Sequence, residues 1–473
     1  MALGDGGAEE LNRGRRSGFP AVDWRFGSAS AAVLIALVVG CAGAAESPSN
    51  APAAAPPSAA AGGTLANPQF HISPVDDAWR ASLPRSADAA TQAYMDRLTP
   101  AVVTRANAYF EGGYWLQLWN FLLGLAISVA LLSGRRSARM RDWAQRVGRK
   151  GFLRDAIYGG LFSIAGWSLS LPLTIYQSYF RERAYGMATQ TFGPWFGEQL
   201  LALAVSTAAI ALAVSVLYAV IRRAGERWWL WGTVTSVALL TLSVLVVPVW
   251  VDPLFNTYKP VENGEVKSAV LAMAQANGVP ADNVYEFDAS RQTTRVSANV
   301  TGIFGSAAVR LNDNLLRRTS MPEIRGVMGH ELGHYVMNHI YKVLAAFTLI
   351  FLAAFLFAKW AMDRLLARYG DQLGLQGVGD VASMPLLVAV LSLFMFLMTP
   401  ITNTIIRTQE IEADRFGLNL AREPHGEAEV DLKLTEYRKP DPGPIEEWIF
   451  FDHPGTRFRI HDAMRWREAM GTP

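Results

Sequence analysis

Long apolar segments are the dominant pattern of this chain. Six stretches are each long enough to cross a bilayer as a helix, and several carry tryptophan or tyrosine near an end, where these rings favour the membrane interface. They cover approximately residues 114–133, 156–176, 200–221, 228–250, 343–362 and 384–406. The pattern predicts an all-α, multi-spanning membrane protein.

Two polar regions lie between and after these segments. Residues 251–342 separate the fourth and fifth apolar segments, and residues 407–473 follow the sixth. Because two membrane crossings separate them, the two polar regions lie on the same side of the membrane. Chemistry carried by ionisable side chains is therefore expected where these two regions meet.

The first polar region has the pattern of a small α+β unit. Helical spacing covers residues 261–277, and short β-branched runs at 284–288, 295–303 and 307–312 predict three strands. Pro322 then marks the first turn of a helix that we expect to continue through His339. The prediction is a helix, a small sheet and a second helix.

Composition limits the chemistry of the chain. Of its 473 residues 51% are hydrophobic and only 18% are charged, below the roughly 25% of charged residues in soluble domains. A formal net charge of +2 gives no reason to expect a nucleic-acid partner. The single cysteine, Cys41, excludes an internal disulfide framework and a cysteine-rich metal site. Histidines and carboxylates must therefore hold any transition metal.

The first 41 residues resemble an export signal. A basic stretch with three arginines precedes an apolar stretch, residues 28–40, that is too short to span a bilayer comfortably. The apolar stretch ends at Cys41 in a sequence similar to a bacterial lipoprotein cleavage site. Cys41 is then either a lipidated N-terminus or a small residue of an uncleaved anchor. Residues 42–110 are expected to form a partly disordered extracytoplasmic tether, with a Pro/Ala-rich segment at 51–63.

A metal-binding motif lies on the second predicted helix: His330-Glu331-Leu332-Gly333-His334. Side chains four apart on a helix share one face, with Cβ atoms about 5–6 Å apart, so both imidazoles can bind one zinc ion. Glu331 lies beside the coordination position left open, where it can take a proton from a water molecule. The alternative is an amphipathic helix with two surface histidines that bind no metal. The presence of further candidate ligands later in the chain counts against this alternative.

A third protein ligand is needed if one coordination position is to stay open for water. Glu410 and Glu412 are the candidates, two residues apart on a helix and therefore on roughly opposite faces. Glu410 shares a face with Asp414, a spacing that suits a carboxylate orienting a metal-bound histidine. We predict Glu410 as the ligand and Asp414 as the orienting carboxylate. Glu412 is the alternative ligand, or else a solvated charge, and His339 is expected to face away from the metal.

These motifs resemble the type I CAAX prenyl protease family of zinc peptidases. The resemblance covers about residues 110–473 in collinear order. It rests on His330–His334, Glu410–Asp414, His453-Pro454-Gly455-Thr456 with Arg459, Leu171-Pro172…Tyr176…Phe180…Glu182…Gly186 and Pro253-Leu254-Phe255-Asn256…Pro260. It implies one Zn²⁺ per chain, a helical membrane barrel around a large chamber, and a zincin-like α+β catalytic domain that cleaves peptide bonds.

The resemblance also implies further site residues. His453 and Arg459 are expected near the active site, where they polarise the scissile carbonyl or stabilise the oxyanion. The alternative for His453 is that it caps a C-terminal helix. Where relatives carry an asparagine before an aromatic residue, this chain has Ser297-Ala298-Asn299. We expect this edge strand to hold the substrate backbone by strand addition.

Positive charge predicts the orientation of the protein in the membrane. The loop between the first two apolar segments carries eight Lys and Arg residues against two Asp, and the loop between the third and fourth carries three Arg. The positive-inside rule places both loops in the cytoplasm and the catalytic region outside, in agreement with the export signal. The eukaryotic relatives have their zinc on the cytosolic side, so the expectation of a periplasmic site in a bacterial inner membrane rests on these charges.

The sequence thus predicts a membrane-embedded zinc metalloendopeptidase that acts on peptides or membrane proteins. An HtpX-like quality-control protease is the alternative enzyme, which the complete set of motif blocks disfavours. A non-catalytic, chamber-forming scaffold is the alternative of another class, and the presence of every ligand and of Glu331 counts against it. The predicted regions are residues 1–41 (signal), 42–110 (tether), 111–250 (four spans), 251–342 (catalytic region), 343–406 (two spans) and 407–473 (second catalytic region).

Overall fold

The computed structural model describes residues 72, 75–149, 151–301 and 307–471. The predicted export signal, Cys41 and the Pro/Ala-rich segment lie outside these residues. The described helices are α1 Asp77–Ser82, α2 Ala87–Met95, α3 Pro100–Leu132, α4 Arg136–Gly148, α5 Gly151–Ile175, α6 Arg181–Ala184, α7 Phe192–Ala224, α8 Trp228–Val246, α9 Gly264–Ala276, α10 Asp313–Arg318, α11 Met321–Val336, α12 His339–Leu373, α13 Met384–Ala421, α14 Pro424–Leu434, α15 Pro444–Phe450 and α16 Thr456–Met470.

Residues 77–110 do not form the tether that the sequence predicts. They fold into α1, α2 and the start of α3, and they share a hydrophobic core with the C-terminal helices α14 and α16. Ala87, Ala90 and Tyr94 are buried in this core together with Leu432. Their spacing of three and four residues is that of a helix with one apolar face, so a segment outside the six apolar stretches is part of the folded protein.

Within the described residues, five helical segments are long and apolar enough to cross a membrane: Pro100–Gly148, Gly151–Ala184, Phe192–Leu254, His339–Leu373 and Val381–Ala421. The six apolar segments seen in the sequence all lie within them. Phe192–Leu254 contains two of the six apolar segments. The chain turns at Gly225 (φ 53°) between these two segments, and α7 and α8 pack against each other.

The last of these segments occupies a different environment from the others. Only 17–28% of the most apolar window is buried by protein in the first four, but 56% is buried in Val381–Ala421. The apolar surface of the first four is therefore available to lipid, as expected of membrane helices. Helix α13 instead packs against α3, α11 and α12, so it connects the membrane bundle to the polar regions.

The described sheet has four strands in the order β1-β2-β4-β3: β1 Tyr258–Pro260, β2 Val284–Phe287, β3 Ala298–Thr301 and β4 Ala308–Asn312. β2 and β4 are parallel, and the other two pairs are antiparallel. The sequence predicts β2, β3 and β4 but not β1, whose three residues include Pro260. Strand β3 lies at an edge of the sheet and packs beside α11.

The helix that carries the histidine motif is shorter than the sequence predicts. Helix α11 starts with Pro322 in its first turn, and the Glu323 carboxylate accepts a hydrogen bond from the Ser320 backbone N–H at 2.6 Å. Helix α11 ends at Val336. Two residues later Asn338 takes a left-handed conformation (φ 58°, ψ 37°), and α12 begins after it in a new direction. Asparagine is among the few side chains that tolerate this conformation, so the single helix expected through His339 is wrong.

Candidate active site

Two helices bring the three predicted metal ligands together. α11 supplies His330 and His334, and α13 supplies Glu410. The two Nε2 atoms are 3.0 Å apart, and they lie 3.3 Å and 3.5 Å from the two carboxylate oxygens of Glu410. Ligand atoms around a tetrahedral zinc ion are separated by about 3.3 Å, given metal–ligand distances of about 2.0 Å. The three side chains therefore have the spacing of a metal site.

Glycines allow the two ligand-bearing helices to approach this closely. A Cβ atom on Gly417 of α13 would lie 2.7 Å from the backbone nitrogen of His330, and one on Gly329 would lie 2.9 Å from the Gly417 carbonyl oxygen. Both distances are shorter than a van der Waals contact, so any other residue would push the helices apart. The close crossing fixes Glu410 opposite the two histidines.

The donor set has the properties that a metal requires. Oε2 of Glu410 is buried and has no hydrogen-bond partner in the described part of the chain, although imidazole nitrogens surround it. Burial lowers the pKa of His334 to about 3, so its imidazole is neutral, which is the form that binds a metal. The Asp414 and Glu410 carboxylates raise the pKa of His330 despite its burial. A buried carboxylate facing two imidazole nitrogens is the arrangement of a site for a divalent transition metal.

Glu331 is half-buried and is not one of the three clustered ligands. Burial raises the pKa of its carboxyl to about 7, and the neighbouring charges include His330, Glu410 and His453. A carboxyl with this pKa can exchange a proton at neutral pH.

Arg459 lies behind the ligand cluster and not on its open side. The buried guanidinium is 2.9 and 2.5 Å from the two oxygens of Asp414, 2.9 Å from Asp431 and 3.3 Å from Glu427. Asp414 in turn is 2.7 Å from Nδ1 of His330. Because carboxylates surround the guanidinium, the structure does not support the predicted contact between Arg459 and the scissile carbonyl. Arg459 instead fixes the carboxylate that orients His330.

Comparison with known proteins identifies the family. Peptidase family M48 matches residues 260–467, and the CAAX prenyl protease N-terminal family, described as five membrane helices, matches residues 82–257. The uncharacterized metalloprotease YhfN of Bacillus subtilis (strain 168) is 32% identical over 343 residues, which cover 72% of this chain and 80% of YhfN. The chain belongs to peptidase family M48.

Further M48 relatives place the chain in the CAAX-prenyl-protease-like group. CAAX prenyl protease 1 of Saccharomyces cerevisiae is 25% identical over 322 residues, 64% of this chain and 70% of the yeast protein. The crystal structure of S. mikatae Ste24p has the same fold, with a TM-score of 0.67 at 19% identity, over 79% of this chain and 93% of Ste24p. The predicted family, fold class and enzyme class are thereby confirmed: the chain is a multi-pass membrane metalloprotease.

In this M48 peptidase, His453 lies on the side of the ligand cluster that Arg459 leaves open. Its Nε2 atom is 3.2 Å from Oε2 of Glu410, and its Nδ1 atom is 2.9 Å from Asp452. A third of the His453 side chain is exposed. The N-cap of α16 is Gly455, two residues after His453. The alternative that His453 caps this helix is therefore wrong.

The predicted substrate strand of the M48 peptidase is the edge strand β3. The Asn312 N–H donates to the Ser297 carbonyl, and Asn299 pairs with Arg310, so the backbone groups of these residues face β4. By the alternation of an antiparallel pair, the N–H and C=O groups of Ala298 and Val300 point away from β4. The Asn299 side chain is buried, and its Oδ1 atom has no partner in the described residues. Backbone groups of Ala298, more than the Asn299 side chain, are therefore available to a peptide.

A membrane helix holds the segment that leads into this strand. Glu182, at the end of the second membrane segment, accepts hydrogen bonds of 2.8 Å from both Tyr109 and Arg295. Arg295 lies three residues before β3. The Glu182 block that contributed to the family resemblance thus ties the membrane helices to the segment before β3.

Proposed function

We propose that His330, His334 and Glu410 hold one Zn²⁺ per chain and that the chain is a zinc endopeptidase. The observation that carries this proposal is the convergence of two imidazole nitrogens on a buried carboxylate whose Oε2 atom has no hydrogen-bond partner in the described residues. Zn²⁺ bound there supplies a Lewis acid that polarises the scissile carbonyl and lowers the pKa of a water molecule.

The side chains around the ligand cluster perform the proton transfers. Glu331 takes the proton of the attacking water and returns it to the leaving amine. His453, on the open side, donates a hydrogen bond to the oxygen on which negative charge develops. A substrate in extended conformation adds to the free edge of β3, where backbone groups of Ala298 and Val300 hold it. This arrangement favours a peptidase over a chamber-forming scaffold, since a scaffold has no use for a half-buried base beside a ligand cluster.

Replacing Glu410 with Ala should remove the metal and the activity together. The parent protein, purified in detergent, should contain about one zinc per chain and hydrolyse casein or a quenched fluorescent peptide. Glu410→Ala leaves two protein ligands, fewer than the three that a catalytic zinc site requires. Elemental analysis and the hydrolysis assay should therefore fall to background in parallel. Glu262→Ala, an exposed glutamate before α9, should match the parent, whereas a zinc-free parent would contradict the proposed function.

We further propose that the site faces the extracytoplasmic side of a bacterial inner membrane, and that its substrates are peptides or membrane proteins on that side. The described basic residues of α4 and of the turn between α7 and α8 support this orientation through the positive-inside rule. A quality-control role resembling that of HtpX is the alternative for the substrate class.

Cysteine labelling tests the orientation. In a Cys41→Ser background without other cysteines, Glu262→Cys should react with a membrane-impermeant maleimide in intact spheroplasts. Arg146→Cys, at an exposed position of α4, should react only after the membrane is opened with detergent. The reverse result would place the site in the cytoplasm and remove the extracytoplasmic substrates from consideration.

A further inference from the structure

The second metal-binding histidine has a hydrogen-bonded support of its own. Nδ1 of His334 is 2.8 Å from Nδ1 of His339, and Nε2 of His339 is 3.1 Å from a carboxylate oxygen of Glu412. His339 is only 3% exposed. The sequence predicts that His339 faces away from the metal and treats Glu412 as an alternative ligand or a solvated charge. The structure instead shows His339 against the His334 ring, and Glu412 as a partly exposed charge that also contacts His339.

The change of direction after α11 accounts for this contact. On a continuous helix, a residue five positions after His334 would point away from it. The left-handed Asn338 ends α11, and α12 starts at His339, which returns the His339 ring toward His334. Asparagine at this position is therefore what allows two histidines five residues apart to meet.

The direction of each hydrogen bond follows from metal binding. The Nε2 atom of His334 must carry a lone pair to bind a metal, so the proton of its neutral ring is on Nδ1. Nδ1 of His339 must then accept that proton's hydrogen bond, which leaves the proton of His339 on Nε2, where it donates to Glu412. This single assignment of protons satisfies both hydrogen bonds, from His334 to His339 and from His339 to Glu412, and leaves both histidines neutral.

We infer that His339 and Glu412 are positioning residues that fix the tautomer and the ring orientation of the zinc ligand His334. This inference rests on the proposed zinc site. One segment of α13 then serves both ligand histidines: Asp414 holds His330 directly, and Glu412 holds His334 through His339. Glu410, which precedes both on the same helix, is the third ligand of the proposed site.

The two supports differ in their surroundings. The Asp414 side chain is 5% exposed and pairs with the buried Arg459. Glu412 is 38% exposed and lies 2.5 Å from the Lys342 ammonium. The Glu412 side chain reaches solvent, so it can be replaced with little change to the protein interior. Loss of a residue that orients a metal ligand typically weakens metal binding 10–100-fold.

Zinc affinity of the full-length detergent-purified protein is the direct test, measured by competition with a chromogenic chelator. We expect zinc dissociation constants to rise roughly 10–100-fold in His339→Ala and in His339→Leu. His339→Gln should recover most of the affinity, because its amide oxygen accepts from His334 and its amide nitrogen donates to Glu412. His461→Ala, which removes a histidine paired with Asp88 outside the site, should bind zinc as the parent does.

The Leu and Gln variants separate positioning from packing. Recovery by Leu but not by Gln would show that His339 only fills space, and would overturn the inference. Unchanged affinity in His339→Ala would overturn it as well. If His339→Ala fails to fold, Glu412→Ala provides the same comparison, because the Glu412 side chain is partly exposed. We expect its zinc dissociation constant to rise. An unchanged dissociation constant would contradict the inference. A parent protein without zinc would instead contradict the proposed function.

Cobalt substitution adds a readout that does not depend on turnover. The visible absorption of Co²⁺ bound to the parent reports the geometry of its ligands. His339→Ala should shift or broaden these bands, and His339→Gln should restore them. Identical spectra in all three proteins would show that His334 keeps its orientation without His339.

Discussion

Glu331→Gln is expected to reduce peptide hydrolysis by roughly 10²–10⁴-fold, the usual contribution of a general base. The amide has the shape of the carboxylate but cannot take a proton from water. Glu331 is not one of the three clustered ligands, so the variant should retain zinc in the same stoichiometry as the parent. Hydrolysis of a quenched fluorescent peptide and elemental analysis of the same sample would measure both quantities.

Glu331→Asp is the companion variant for this experiment. It keeps the carboxylate but withdraws it by one methylene group, so its rate should fall between those of the parent and of Glu331→Gln. A Gln variant that turns over within tenfold of the parent would show that another group activates the water. Loss of zinc from Glu331→Gln would show that Glu331 supports the metal as well.

Arg459→Met is expected to destabilise the protein by about 3–5 kcal/mol, because removing one partner of a buried ion pair leaves uncompensated charge. Its guanidinium is the shared partner of Asp414, Glu427 and Asp431. Burial raises the pKa of Asp431 to about 8, so this carboxyl contributes little negative charge at neutral pH to the pairing that is lost. Metal affinity should fall too, since Asp414 would no longer be held against His330. Thermal unfolding and chelator competition would measure the two effects.

Arg415→Met provides the comparison for this prediction. Arg415 also pairs with an aspartate, Asp462 at 2.9 Å, but its side chain is 57% exposed, and exposed pairs contribute at most about 1 kcal/mol. Its unfolding midpoint and metal affinity should stay close to those of the parent. If Arg459→Met kept its stability and its metal but lost activity, the guanidinium would act on the scissile carbonyl or the oxyanion, as the family resemblance implies.

The proximity of His330, His334 and Glu410 could be predicted because most of its geometry is local. Two histidines four apart on one helix must share a face, and a glutamate four residues before an aspartate shares a face with it. No long-range information is needed for either step. The remaining step, that α11 meets α13, follows from the family resemblance, and the glycines at the crossing, Gly329 and Gly417, show how the structure achieves it.

Contacts between residues distant in sequence could not be predicted in the same way. Arg459 meets carboxylates that precede it by 28 to 45 residues, and no periodicity connects them. The position of His339 depended on one backbone conformation at Asn338. An asparagine after the motif was visible in the sequence, but asparagine also occurs inside helices, so it did not identify the break.

The continuity of α13 has a consequence for which bonds the enzyme can cut. This helix of 38 residues begins with the last apolar segment, which ends near residue 406, and carries Glu410 one turn later. At 1.5 Å per residue, the four intervening steps amount to about 6 Å along the helix axis. Glu410 thus lies about 6 Å along the same helix beyond the end of the apolar segment, close to the height at which that segment leaves the bilayer. A peptide bond must reach that height to be cleaved, so the distance of a bond from the membrane surface contributes to selectivity beside its sequence.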